Sequence, residues 1–308
     1  MKLAVPDMVS NSYFPAEAAI ELGIFRDYGL DVSLELIFPV DKAYEALRDG
    51  TVDIVAGSAH SALAAFPRFE GVKLLCAQAQ GMYWFLVMHA DFKAERGDLG
   101  ALKGRRIGAA PWVEMGLRFL LAEAGMDLER DGISIGPVPA PPEKSVNFGL
   151  NAARALQNRQ IDGFWANGMA AEIAVREGFG TVVLDARRGD GPASAFDCTM
   201  ASVAVRQDLS EERPEVAQAI IRAIARTHDV LKADVERSAA VGNALFPPAQ
   251  AALITDLIRR DLPYYDTAIT PGFVAGMSRA CRAMGKLDRD LAYNDVVAPH
   301  LAAIAAAG

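Results

Sequence analysis

The segment Ala46-Leu47-Arg48-Asp49-Gly50-Thr51-Val52-Asp53 returns later in the chain as Ala155-Leu156-Gln157-Asn158-Arg159-Gln160-Ile161-Asp162, with alanine, leucine, a β-branched residue and aspartate in register. In each copy the pattern reads as a helix that ends at leucine, a polar turn, and a strand entered through an apolar–Asp pair. A second correspondence precedes it: Arg106-Ile107-Gly108-Ala109-Ala110 restarts a strand as Lys2-Leu3-Ala4-Val5 does, after a loop over 95–103. A chain duplicated in this way is expected to fold as two lobes of like topology.

The first fifty-odd residues read strand, helix, strand, helix, strand, with strands near 2–6, 31–37 and 52–56. Strands that alternate with helices imply an α/β fold in which each lobe is a mainly parallel sheet flanked by helices. The first helix is expected to begin around Pro15, whose missing N–H costs nothing in an initial turn, with Ser12 as its cap. From about Leu209 the pattern turns helical: Pro214 to Leu231, Ala249 to Arg260, Pro271 to Met284 and Tyr293 to Ala306. The expected division is residues 1–87 plus 201–308 as lobe 1, completed by the C-terminal helices, and 88–200 as lobe 2, with two chain passages between them. The chain's 308 residues suffice for two such lobes.

A net charge of −8 and a pI near 5.1 argue against a nucleic-acid partner, which demands a clustered basic face. No apolar run reaches the length of a membrane-spanning helix, so the chain is not expected to span a bilayer. No leader with a charged start, apolar run and cleavage site precedes Leu3; the expected compartment is the periplasm if a leader was removed and the cytoplasm if Met1 is the native start. Cys76, Cys198 and Cys281 give no disulfide framework, and the four histidines stand at no zinc-ligand spacing, so neither metal nor cofactor is expected.

In open parallel sheets, ligands bind beyond the carboxyl ends of the strands, where loops turn into helix N-termini. That singles out 8–14, 57–61, 80–84, 110–114 and 165–169. Gly57, Ser58, Ala59 and His60 combine close backbone approach with a hydroxyl and an imidazole, fit to cradle a carboxylate, sulfonate or ring nitrogen; Ser58 or Ser61 as a simple helix cap is the other reading. All three tryptophans, Trp84, Trp112 and Trp165, fall in or beside these loops with Tyr13, which suggests flat walls for an aromatic ligand against the alternative of core packing. Glu114 and Asn167 would serve hydrogen bonding from the second lobe, and Ser10 and Asn11 from the first. Few basic residues occur here: Arg118 is expected to be exposed, and Arg187-Arg188 to form a solvated loop.

The pieces Pro15, Glu21-Leu22-Gly23-Ile24-Phe25, Gly29-Leu30-Asp31-Val32 and Ala46 to Ile54, followed by Asp98-Leu99, Leu102-Lys103-Gly104-Arg105-Arg106-Ile107-Gly108, Ala155-Leu156 and Ile161-Asp162, cover most of the chain. In that spacing the sequence resembles the periplasmic substrate-binding proteins of the nitrate, sulfonate, taurine and thiamine-pyrimidine-precursor group. The resemblance implies a Venus-flytrap fold, a ligand in the interlobe cleft and delivery to an ABC-type permease. Where thiamine-precursor members carry a glycine-rich segment, this chain has Ala110-Pro111-Trp112-Val113-Glu114-Met115-Gly116. The competing expectation is a cytosolic, cofactor-independent decarboxylase, lyase or pyrimidine-precursor synthase on the same fold, with His60 and Glu114 as acid and base.

Overall fold

The computed structural model describes residues 1–139 and 147–305. In chain order it runs β1 (Lys2–Val5), α1 (Phe14–Glu21), α2 (Ile24–Asp27), β2 (Ser33–Leu36), α3 (Val40–Arg48), β3 (Ile54–Ser58), β4 (Val72–Ala79), β5 (Phe85–His89), β6 (Arg106–Ala109), α4 (Glu114–Glu123), β7 (Ser134–Gly136), α5 (Phe148–Gln157), β8 (Gly163–Ala166), α6 (Gly168–Arg176), β9 (Gly180–Asp185) and β10 (Ala201–Arg206). Seven helices follow: α7 (Gln207–Glu212), α8 (Pro214–Ala233), α9 (Arg237–Leu245), α10 (Pro248–Asp261), α11 (Pro271–Ala283), α12 (Tyr293–Val296) and α13 (Pro299–Ala305). Two compact units result, Met1–Gly81 with Asp197–Gly308, and Met82–Phe196.

Unit 1 holds a five-stranded sheet in the order β2-β1-β3-β10-β4, and unit 2 one in the order β7-β6-β8-β5-β9. In each, the fourth strand is antiparallel to both neighbours, so both sheets are mixed. The antiparallel member is in each case the first strand after the chain changes unit: β5 after Gly81, β10 after Phe196. This explains why the chain changes unit before residue 87, the expected position. β5 is paired along its length with β8 and β9, so the passage has to precede it.

Strands β3 and β4 are buried at every residue, β3 as an inner strand and β4, at the end of the sheet, beneath α8, α12 and α13, and both are largely apolar. Lys73 is the charged residue inside β4. Its Nζ reaches the carbonyls of Asn294 at 2.7 Å and Asp295 at 2.8 Å, which satisfies a cation that burial otherwise disfavours. The expected final helix is broken in two, because the residue before Pro299 is pushed out of the helical region; Val297 instead bridges Leu74 of β4. Its expected last residue, Ala306, lies outside the described residues. Helix α9 carries a weak apolar stripe and went unread in the sequence.

Candidate functional site

Because β1, β2, β3 and β4 run in one direction, their carboxyl ends share one edge of the unit 1 sheet, joined there by the start of antiparallel β10. The β1–α1 loop brings Ser10, Asn11 and Tyr13 to this edge, and the end of β3 brings Gly57, Ser58, Ala59 and His60. All seven are buried. His60 Nδ1 lies 2.8 Å from Thr199 Oγ1, just ahead of β10, and the Ala59 amide donates to the Met200 carbonyl at 3.0 Å. The 59–60 turn is thus tied to the returning chain.

The hydroxyls of Ser58 and Ser61 bond each other at 2.6 Å, and the short 3₁₀ helix Ala59–Ala64 has no side-chain cap. Neither serine therefore acts as the simple cap considered above. A side chain on Gly57 would meet Val55 at 3.2 Å, Val40 at 3.4 Å and Tyr44 at 3.5 Å, so what its bare backbone admits is helix α3. Ser12 does not cap α1: its amide donates to Ser10 Oγ at 3.0 Å, and its own hydroxyl has no partner among the described residues. The loop closes on itself and leaves the helix start to Tyr13. Asn11 Nδ2 donates to Asp261 Oδ2 at 2.6 Å, anchoring the loop to the end of α10.

Three residues that are not among the candidates above complete this edge. Gln78, fully buried on β4, accepts from the Ala16 amide at 3.2 Å and donates to the Ser202 carbonyl at 3.1 Å. His228 of α8 donates from Nε2 to the Gln78 carbonyl at 2.8 Å and stacks on Tyr265 with centroids 4.8 Å apart. Burial lowers its pKa to about 4, so the ring is neutral near neutrality. Glu17, in the first turn of α1, is 0% exposed, with neither carboxylate oxygen partnered among the described residues. Burial pushes its pKa well up, and Asp7 and Glu21 push it further. In sequence Glu17 looks like an ordinary surface acid; only the short alanine-rich helix around it hints otherwise.

The same edge of unit 2 gathers the carboxyl ends of β6, β8 and β9 with the start of β5. The Trp84 and Trp165 rings are buried and pack edge to face, 6.3 Å between centroids, so neither offers a solvent-facing wall. Trp165 follows Phe164 on β8 opposite Ala109 and Leu86, and its indole N–H has no partner among the described residues. Trp112 is half-buried and held at φ +67°, a left-handed conformation that bulky residues rarely take. Glu114 opens α4 partly exposed, its amide donating to the Ala110 carbonyl at 3.1 Å. Asn167 caps α6, its Oδ1 accepting from the Ala170 amide at 3.0 Å.

Two arginines stand otherwise than expected. Arg187 is buried, not solvated, with its guanidinium 5.9 Å from the Tyr83 ring, because β9 carries it to the edge where β5 begins. Arg188 pairs with Asp185 at 2.6 Å. Arg118 is part-buried and donates to the Ile135 carbonyl at 2.9 Å, the turn of α4 having laid it against β7.

No family model and no curated protein matches the chain. Solved structures do. A protein from Bordetella bronchiseptica RB50 is similar over 99% of this chain and 96% of its own, with 21% identity and a TM-score of 0.77. A putative periplasmic sulfonate-binding protein of a sulfonate ABC transporter, from Methylobacillus flagellatus KT, is similar over 99% and 93%, with 18% identity and a TM-score of 0.66. A Candida albicans gene product, described as having the generic periplasmic binding protein structural fold, is similar over 94% and 91%, with 14% identity and a TM-score of 0.63. The chain has the periplasmic-binding-protein fold. In that fold's terms the two edges above are the loop-bearing faces of its lobes, and the sulfonate-binding neighbour belongs to the group that the sequence resembles. Among the described residues no helix of this periplasmic-binding-protein fold is long and apolar enough to cross a membrane.

Proposed function

We propose that the chain binds a small organic ligand carrying an aromatic or heterocyclic ring, or a carboxylate or sulfonate, and passes it to an ABC-type permease outside the cytoplasmic membrane. The observation that carries this reading is Arg187. A buried guanidinium stands at the same sheet edge as the half-buried Trp112, where helices α4 and α6 also present their amide ends. The sulfonate-binding protein from Methylobacillus flagellatus KT, which shares the fold, agrees with an anionic group on the ligand. At the corresponding edge of unit 1, Ser10, Asn11, Tyr13, Ser58 and His60 are the polar residues offered for ligand contact.

The test is a thermal-shift screen of aromatic acids, sulfonates, amidines and pyrimidines, with mass-spectrometric recovery of each hit. A receptor gains melting temperature with ligand occupancy and returns the ligand unchanged. Arg187→Gln is expected to weaken an anionic hit at least tenfold. Conversion of the hit to a product would replace the receptor reading with the enzyme one.

A further inference from the structure

The β1–α1 junction of unit 1 holds an excess of hydrogen-bond acceptors. Within seven residues, Asn11 Oδ1, Ser12 Oγ and both oxygens of Glu17 are buried without a partner among the described residues. Asp7, itself buried, adds a negative charge that acts on Glu17, and Asn11 already spends its donor on Asp261. Buried polar groups without partners are rare in folded proteins, and an unpaired buried carboxyl is among the costliest. Burial of Glu17 is maintained by its helix: Phe14 to Ala19 are all buried, so the side chain has no outward face to turn to.

Asn11 Oδ1 calls for a donor, as does the Glu17 carboxylate once its proton passes to solvent on binding, and the loop stands at the carboxyl edge where parallel sheets receive ligands. A protonated nitrogen answers that need, since an ammonium offers three donors and no acceptor. We propose that the loop from Asp7 to Tyr13 and the first turn of α1 form a subsite for an ammonium or amidinium group of the ligand, with Glu17 as its principal acceptor. This rests on the ligand-binding reading above and adds a positively charged nitrogen to the ligand's chemistry.

The experiment uses the full chain and four ring-matched probes: benzylammonium, benzamidinium, benzyl alcohol and benzenesulfonate. Wild-type protein is expected to bind at least one cation, seen by thermal shift and calorimetry. Glu17→Gln, which keeps the shape, should weaken that cation at least tenfold and leave benzenesulfonate within twofold. Glu17→Met, which fills the volume without acceptors, should do the same, and both variants should melt no lower than wild type because a buried unpaired acid has gone. Retention of the cation by both variants within twofold overturns the proposal. If benzenesulfonate binds and neither cation does, the binding reading stands and this one falls; if nothing binds here or in the broader screen, both fall.

Discussion

The carboxylate of Asp53 accepts the backbone N–H of Lys2 at 2.8 Å, while its own amide donates to the Lys2 carbonyl at 2.9 Å. Asp162 does the same to Arg106 in the other unit, at the same 2.8 and 2.9 Å. The aspartate that recurs in the duplicated segment therefore has one task in both copies: it latches the entering strand to the first residue of its parallel neighbour.

Removing either latch should cost a similar amount. Asp53→Ala and Asp162→Ala are each expected to lower unfolding free energy by about 1 kcal/mol, the usual worth of such a hydrogen bond. The double variant should show their sum, since the two share no partner. Urea titration reads this, and a cost confined to one site would separate the two copies.

The turn before each latch also matches. Gly50 sits at φ +72° and its counterpart Arg159 at φ +55°. A side chain there costs about 1–2 kcal/mol, so Gly50→Ala should destabilise by about 1 kcal/mol although its new methyl would face only the flexible end of Arg206. Thermal melts of Gly50→Ala against wild type check it.

Trp165 contributes to stability by its ring rather than by its N–H. With the indole N–H unpartnered and the ring against Trp84, Trp165→Phe should cost about 1–2 kcal/mol and Trp165→Ala about 3–5. Denaturant midpoints compare them; equal costs would show that the N–H, not the packing, matters.

The architecture was legible because the repeat and the strand–helix alternation are local signals, and the Asp latch makes that repeat structurally obligatory. The sheet edges were legible too, since strand direction alone decides where loops such as 57–61 and 110–114 emerge. Side-chain direction was not. Arg187, read as solvated between two aspartates, is carried inward by β9, and Trp84 and Trp165 turn to each other, both consequences of cross-strand pairing that no short window contains. Glu17 differs from Glu21 by a single turn of α1, yet only the packing of that turn decides which is buried.

Glu17 and His228 make opposite contributions to the dependence of stability on pH. His228 is neutral in the folded chain down to about 4 but takes up a proton near 6.5 when unfolded, so the stability it contributes is complete above 6.5 and is lost as pH falls towards 4. Glu17 keeps its proton in the folded chain above its ordinary value of 4.5, so its contribution is complete below 4.5 and is lost as pH rises towards its folded value. Over the stretch above 4.5 where Glu17 still holds its proton in the folded chain and His228 is still protonated in the unfolded one, the two contributions oppose each other. Glu17→Gln should therefore gain stability relative to wild type as pH rises through this window, and His228→Gln should lose it, each with a slope of about 1.4 kcal/mol per pH unit. Above 6.5 the His228 difference should level off, whereas the Glu17 difference grows until the carboxyl ionises in the folded chain. Denaturant titrations from pH 5 to 8 measure both curves, and parallel lines for wild type and Glu17→Gln would mean that the carboxyl is ionised in the folded chain.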